Sequence, residues 1–113
     1  MTATIKSLET ASQQVGATDT TLYTVPASTA TKIESLVLTN TSATTSYAVS
    51  VHKCKSGDAV GDDTKIINAL SIPPKASIEI IQRPWLMSTG DFLSAIAGTA
   101  AMITVHISGI EVT

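Results

Sequence analysis

The chain has one cysteine, one tryptophan, one phenylalanine and two tyrosines in 113 residues. With Cys54 alone no intrachain disulfide can form, so packing or subunit contacts must stabilise the fold. Charge is scarce as well: seven Lys and Arg against nine Asp and Glu leave a formal net charge of −2. That balance supplies no basic field able to release counterions from a phosphate backbone, which argues against direct nucleic-acid binding. No run approaches the ~18 apolar residues needed to cross a bilayer, and the opening MTATIKSLET lacks the apolar stretch of a signal peptide. No membrane partner is therefore expected, and the product should remain in the cytoplasm of the cell that makes it. There is also no Gly-rich phosphate loop, GxSxG elbow or HExxH pair. No enzymatic activity, catalytic residue or cofactor is expected.

What the chain does have is β-branched residues. It is 43% hydrophobic but only 14% charged, with Thr, Ser and Ala filling the remainder, a composition suited to pleated, half-buried surfaces. So few charges imply a weakly solvated exterior, easier to understand if part of it is covered in an assembly. At this length one core must serve the whole chain, so residues 18–113 are read as a single domain preceded by a segment over 1–17. Met1–Gln14 is polar with isolated Ile5 and Leu8. It fits an arm that orders on a neighbouring subunit, a short helix over Ser7–Gln13, or a first edge strand.

The most regular stretch is Lys32–Lys53, KIESLVLTNTSATTSYAVSVHK, which reads as a β-hairpin with a Thr/Ser-rich apex. A period of two puts Ile33 and Val37 with Tyr47, Val49 and Val51 on the core side. Leu36, Leu38 and Ala48 fall on the other side, covered either because the strand is central or because a neighbouring subunit packs there. Further strands are expected over Thr20–Val25 (stopped by Pro26), Lys65–Ile72 (stopped by Pro73-Pro74), Ala76–Gln82, Phe92–Ala97 and Ala101–Ser108, with a bulge at Gly109 before Ile110–Thr113. Ser56–Thr64, SGDAVGDDT, is an exposed loop. Seven to eight short strands at roughly ten-residue spacing, with turn residues at each junction, point to an all-β antiparallel β-sandwich of jelly-roll or Ig-like type, with a closed barrel as the alternative.

Two clusters invite a metal. His52 and Cys54 share a strand face and His106 lies on the corresponding face of the last strong strand, but two imidazoles and one thiol fall short of a tetrahedral zinc set. Asp58, Asp62 and Asp63 sit in one loop with Gly57 and Gly61, at a spacing unlike an EF-hand loop. Both are read as ordinary polar strand and turn positions, with no metal expected. Trp85, Leu86 and Met87 form the largest apolar cluster outside the regular strands, filling the core or anchoring an interface. The interface candidates are Ile5, Leu8, Trp85, Leu86 and Met87, together with Thr41, Thr44 and Thr45 in the NTSATTS apex.

Taken together, TDTTLYTVPAST at Thr18–Thr29, KIESLVLTNTS at Lys32–Ser42, YAVSVHK at Tyr47–Lys53, GDFLSAIA at Gly90–Ala97 and AMITVHISGIEV at Ala101–Val112 carry a resemblance. They resemble small β-sandwich virion structural proteins of tailed bacteriophages. Trp85-Leu86-Met87 and the His52/Cys54 pairing lie outside that pattern. The resemblance implies particle assembly: a capsid decoration or cement subunit, or alternatively a tail, tail-tip or fibre-associated module that binds a receptor or carbohydrate. It implies a virion location and, as partners, other copies of the chain and the major capsid or tail proteins. Many copies meeting repeated sites imply a symmetric homo-oligomer, with a trimer favoured.

Overall fold

A computed structural model describes residues 2–8, 13–79 and 85–113, and among these every regular element but one short 3-10 turn is a strand. In chain order they are β1 (Ala3–Ser7), β2 (Gln13–Gln14), β3 (Thr20–Thr24), β4 (Ala30–Asn40), β5 (Tyr47–Cys54), β6 (Lys65–Ile72), β7 (Ser77–Glu79), β8 (Trp85–Met87), β9 (Phe92–Ala97) and β10 (Ile103–Val112). Two separate antiparallel sheets form, an arrangement compatible with a β-sandwich rather than one closed barrel. In the first the order is β1-β10-β4-β7, with β2 also pairing β10 and β8 also pairing β4; in the second it is β3-β9-β5-β6. Within residues 1–17, β1 and β2 both lie along β10. Of the helix considered over Ser7–Gln13, Ser7 closes β1 and Gln13 opens β2, while 9–12 lie outside the described residues, as do 80–84 of the strand expected over Ala76–Gln82.

The stretch Lys32–Lys53 is not a hairpin. Its two arms belong to different sheets: β4 pairs β10, β7 and β8, whereas β5 pairs β6 and β9. Residues 41–46 therefore carry the chain from one sheet to the other. Partner choice is set by contacts distant in sequence, which a local alternation cannot report.

The expected faces of β4 also need correction. Ile33, Leu36 and Leu38 are fully buried, and Val37 is only partly so. The reason is a bulge: Ser108 faces Ser35 but Gly109 faces Ile33, so Glu34 is an additional residue in β4 and the inward face changes phase across it. Gly109 is required at this crossing, because a Cβ there would lie 2.2 Å from the Lys32 carbonyl oxygen. The bulge expected at Gly109 is present, but its additional residue belongs to β4. β10 accordingly keeps one phase throughout: Ile103, Val105, Ile107 and Glu111 are buried, and Ile110 and Val112 face outward.

The core between the sheets combines Ile33, Leu36, Leu38, Ile103, Val105 and Ile107 from the first with Leu22, Val49, Val51, Ile72 and Leu93 from the second. Each fully buried aliphatic side chain contributes about 1.5–3 kcal/mol. Leu8 and Met87, 3% and 2% exposed, are part of this same core, so neither is available as a surface anchor. Trp85 is half-buried and packs against the core. No helix among the described residues is long and apolar enough to cross a membrane.

Candidate interaction surfaces

Directly opposed residues of an antiparallel pair project from the same side of the sheet, so the register identifies what shares a face. Ile5 is opposite Ile110, Ile110 opposite Lys32, and Lys32 opposite Leu86. These four form one row across β1, β10, β4 and β8, on the face away from the core. At ~4.8 Å between strands the row is about 14 Å long. Its ends are the two most exposed large hydrophobic side chains among the described residues, Ile5 at 83% and Leu86 at 72%. Ala3, Val112 and Ala30 make the next row in register and extend the apolar surface. A depression of about 460 Å³ beside Leu86, lined by Ala30, Lys32, Lys55, Ser88 and Val112, adds relief. The structure thus joins two interface candidates, Ile5 and Leu86, that lie 81 residues apart. Sequence reasoning missed Ile110 and Val112, whose orientation depends on which strand carries the bulge.

A second surface lies at one end of the sheets. Asn40 is fully buried; its Nδ2 donates to the carbonyls of Thr45 and Ile72, both at 2.9 Å, and its Oδ1 accepts the Ser42 N–H at 2.9 Å. Ser42 Oγ then accepts the N–H groups of Thr44 at 3.3 Å and Thr45 at 3.1 Å. Thr41 bonds to the Met102 carbonyl through both its N–H and its hydroxyl, and the Lys75 N–H donates to Ser42. The loops at 41–46, 73–76 and 98–102 are therefore fixed to one another, presenting the exposed Thr41, Thr44 and Thr45. Among these three loops Lys75 carries the only side-chain charge. Such a surface is preorganised, neutral and rich in small hydroxyl groups.

At the opposite end the side chains are charged. Burial alone would push the Asp91 carboxyl up, but the N–H groups of Ser88 at 2.9 Å and Ser56 at 3.1 Å, with Lys55 close by, outweigh it and hold the group below its ordinary value. Asp58 accepts the Lys55 N–H at 3.0 Å and Asp62 pairs with Lys65 at 3.1 Å, so these acids serve the 55–65 loop itself. His52 and Cys54 are buried beneath that loop. His52 Nδ1 lies 2.9 Å from Thr64 Oγ1 and 3.1 Å from the Gly61 carbonyl oxygen; burial pushes the Cys54 thiol up despite its own bond to Thr64. The sequence reads both as ordinary polar strand positions. The covering loop, with its 3-10 turn at Asp62–Thr64, closes over them instead. His106 lies exposed on the other sheet, and among the described residues no three His, Cys, Asp or Glu side chains come together as a metal centre.

Between edge strands β1 and β3 a cavity of about 350 Å³ is lined by Lys6, Leu8, Gln13, Leu22, Tyr23 and Glu111. Tyr23, Glu111 and Lys6 engage one another there, whereas the buried Gln13 Oε1 has no hydrogen-bond partner among the described residues. The Tyr23 hydroxyl donates to Glu111, lies 2.8 Å from Thr31 Oγ1, and Glu111 pairs with Lys6 at 2.9 Å. Desolvation, then the bond to Glu111, pushes the Tyr23 phenol up to about 12, while the bonds from Tyr23 and Lys6 hold Glu111 below its ordinary value. The arrangement ties β3 of one sheet to β4 and β10 of the other. Comparison with family models, with curated proteins and with solved structures finds no match for this chain.

Proposed function

We propose that this chain is a structural protein of a tailed-bacteriophage virion, a capsid decoration or cement subunit that docks on the particle through the outer face of its first sheet. The observation that carries the proposal is the row from Ile5 to Leu86, in which exposed apolar side chains at both ends and Ile110 between them share one face with a single charged residue, Lys32, itself paired with Glu34. A protein surface burying such a row gains about 25 cal/mol per Å² of apolar area removed from water. The resemblance of the sequence segments to phage virion β-sandwiches supplies the context.

Strand order supports a jelly-roll reading of the fold. Counting β1/β2 and β7/β8 as one position each gives eight strands, ordered 1-8-3-6 in one sheet and 2-7-4-5 in the other. That is the pattern of two Greek keys wound together, an architecture used by viral capsid and lectin domains. The lectin use gives the second reading some weight: the neutral Thr-rich loop end, fixed by Asn40, suits a tail-tip or fibre module that binds a receptor or sugar. Quantitative mass spectrometry of purified particles from cells making this chain separates the readings. Hundreds of copies per particle support decoration, and a handful supports the tail tip. Absence from particles overturns both.

A further inference from the structure

We infer that β1 pairs with β1 of a second copy of this chain, antiparallel about Ile5, joining the two outer faces into one. Sheet edges present unpaired main-chain groups, and proteins blunt them with bulges, prolines or very short strands. The described edges here are treated differently. β3 carries a register shift against β9 and β6 carries two against β5, while β7 and β8 have three residues each. β1 has five residues in unbroken register, with no proline and every side chain exposed.

The hydrogen-bond phase shows which groups are offered. Thr2 exchanges both bonds with Thr113 at 2.8 Å and the Leu8 N–H donates to Ile107 at 2.9 Å, so even-numbered residues bond inward to β10. The N–H and C=O of Ile5 consequently point away from the sheet. A twofold axis at Ile5 lets the Ile5 N–H of each copy donate to the Ile5 carbonyl of the other. Lys6 then lies opposite Thr4 of the second copy rather than opposite another lysine, and its charge is already met by Glu111. The two rows meet end to end, covering Ile5 and leaving Leu86 at both far ends. Main-chain pairing supplies affinity and the matched isoleucines supply register. The arrangement is twofold, unlike the trimer expected from sequence, and it does not depend on the identity of the particle.

Sedimentation of the full chain over the micromolar range tests this. The wild type is expected to move from 11.7 kDa toward twice that mass. Ile5→Pro removes a donor that makes no bond within its own strand pair, so the chain should keep its circular dichroism while dimerisation weakens about thirtyfold, as for two lost ladder bonds. Ile5→Lys, at a site exposed in the monomer, should place like charges at the axis and also weaken the dimer, whereas Leu86→Lys should leave it intact. A wild type that stays monomeric, a trimer, or a dimer indifferent to both Ile5 substitutions would overturn the inference.

Discussion

Removing one hydroxyl, in Tyr23→Phe, tests whether the two sheets are tied together by the Tyr23–Glu111–Thr31 group. The phenol is buried, it donates to an ionised carboxylate on β10, and it lies 2.8 Å from Thr31 on β4. A hydrogen bond to a charged group contributes about 1.5–3 kcal/mol and a neutral one about 1 kcal/mol. Phenylalanine keeps the ring and leaves no cavity, and Lys6 still partners the carboxylate, so the expected loss is about 2–3 kcal/mol. For a chain of this length that corresponds to roughly 8–12 °C in Tm. The pH dependence carries more information than the size. Glu111 is held below its ordinary value, so the stability it contributes is present above the unfolded value near 4.5 and is lost as pH falls through the lower folded value. The gap between wild type and variant should therefore be full at neutral pH and narrow in acid. Tyr23 has the opposite sign: raised from 10.0 to about 12, it contributes stability that is present below pH 10 and lost as pH rises toward 12, and the variant should lack this alkaline limb. Thermal unfolding followed by circular dichroism across pH measures both. A Tm change under about 2 °C, or a gap constant from acid to alkali, would refute the tie.

Three further substitutions or treatments follow from the same geometry. Asn40→Ala strips three hydrogen bonds from a fully buried position and should lower stability by about 2–4 kcal/mol, with faster amide exchange at Ser42 and Thr45 than in wild type. Gly109→Ala puts a methyl group 2.2 Å from the Lys32 carbonyl and should cost more than about 3 kcal/mol in denaturant unfolding, with a much smaller effect for Gly98→Ala, where nothing lies within 4 Å. Cys54, buried with its thiol pushed up, should react with a thiol reagent at neutral pH only as fast as the chain unfolds; rapid native-state labelling would show the 55–65 loop to be open.

Several strands were legible because their ends carry chemistry. Lys65–Ile72 stops where Pro73 removes a donor, Thr20–Thr24 ends beside Pro26, and Phe92–Ala97 is framed by turn residues. The faces of β4 were not legible. Ile33, Leu36 and Leu38 are separated by three and then two positions, and strict alternation cannot absorb the additional residue at Glu34. The spacing itself, together with Gly109, was the available signal. Nor could local pattern show that β4 and β5 part company, or that a loop rich in Gly and Asp folds over His52 and Cys54. Of the outer row, Ile5 stood out as an isolated hydrophobic residue in a polar stretch and Leu86 as part of the apolar cluster at 85–87. Ile110 did not, since its direction depends on a pairing with β4. Thr41, Thr44 and Thr45 were legible as an apex, but the Asn40 side chain that fixes them reaches a carbonyl 32 residues away.

Docking through the outer face of the first sheet is tested most directly by adding purified chain to particles grown without it and measuring cosedimentation. Wild-type chain should bind in a saturable manner, and Leu86→Asp, which should leave the fold unchanged because that side chain is 72% exposed, should bind at least tenfold more weakly. Equal binding by the two, or no binding by the wild type, would contradict the assignment of this face.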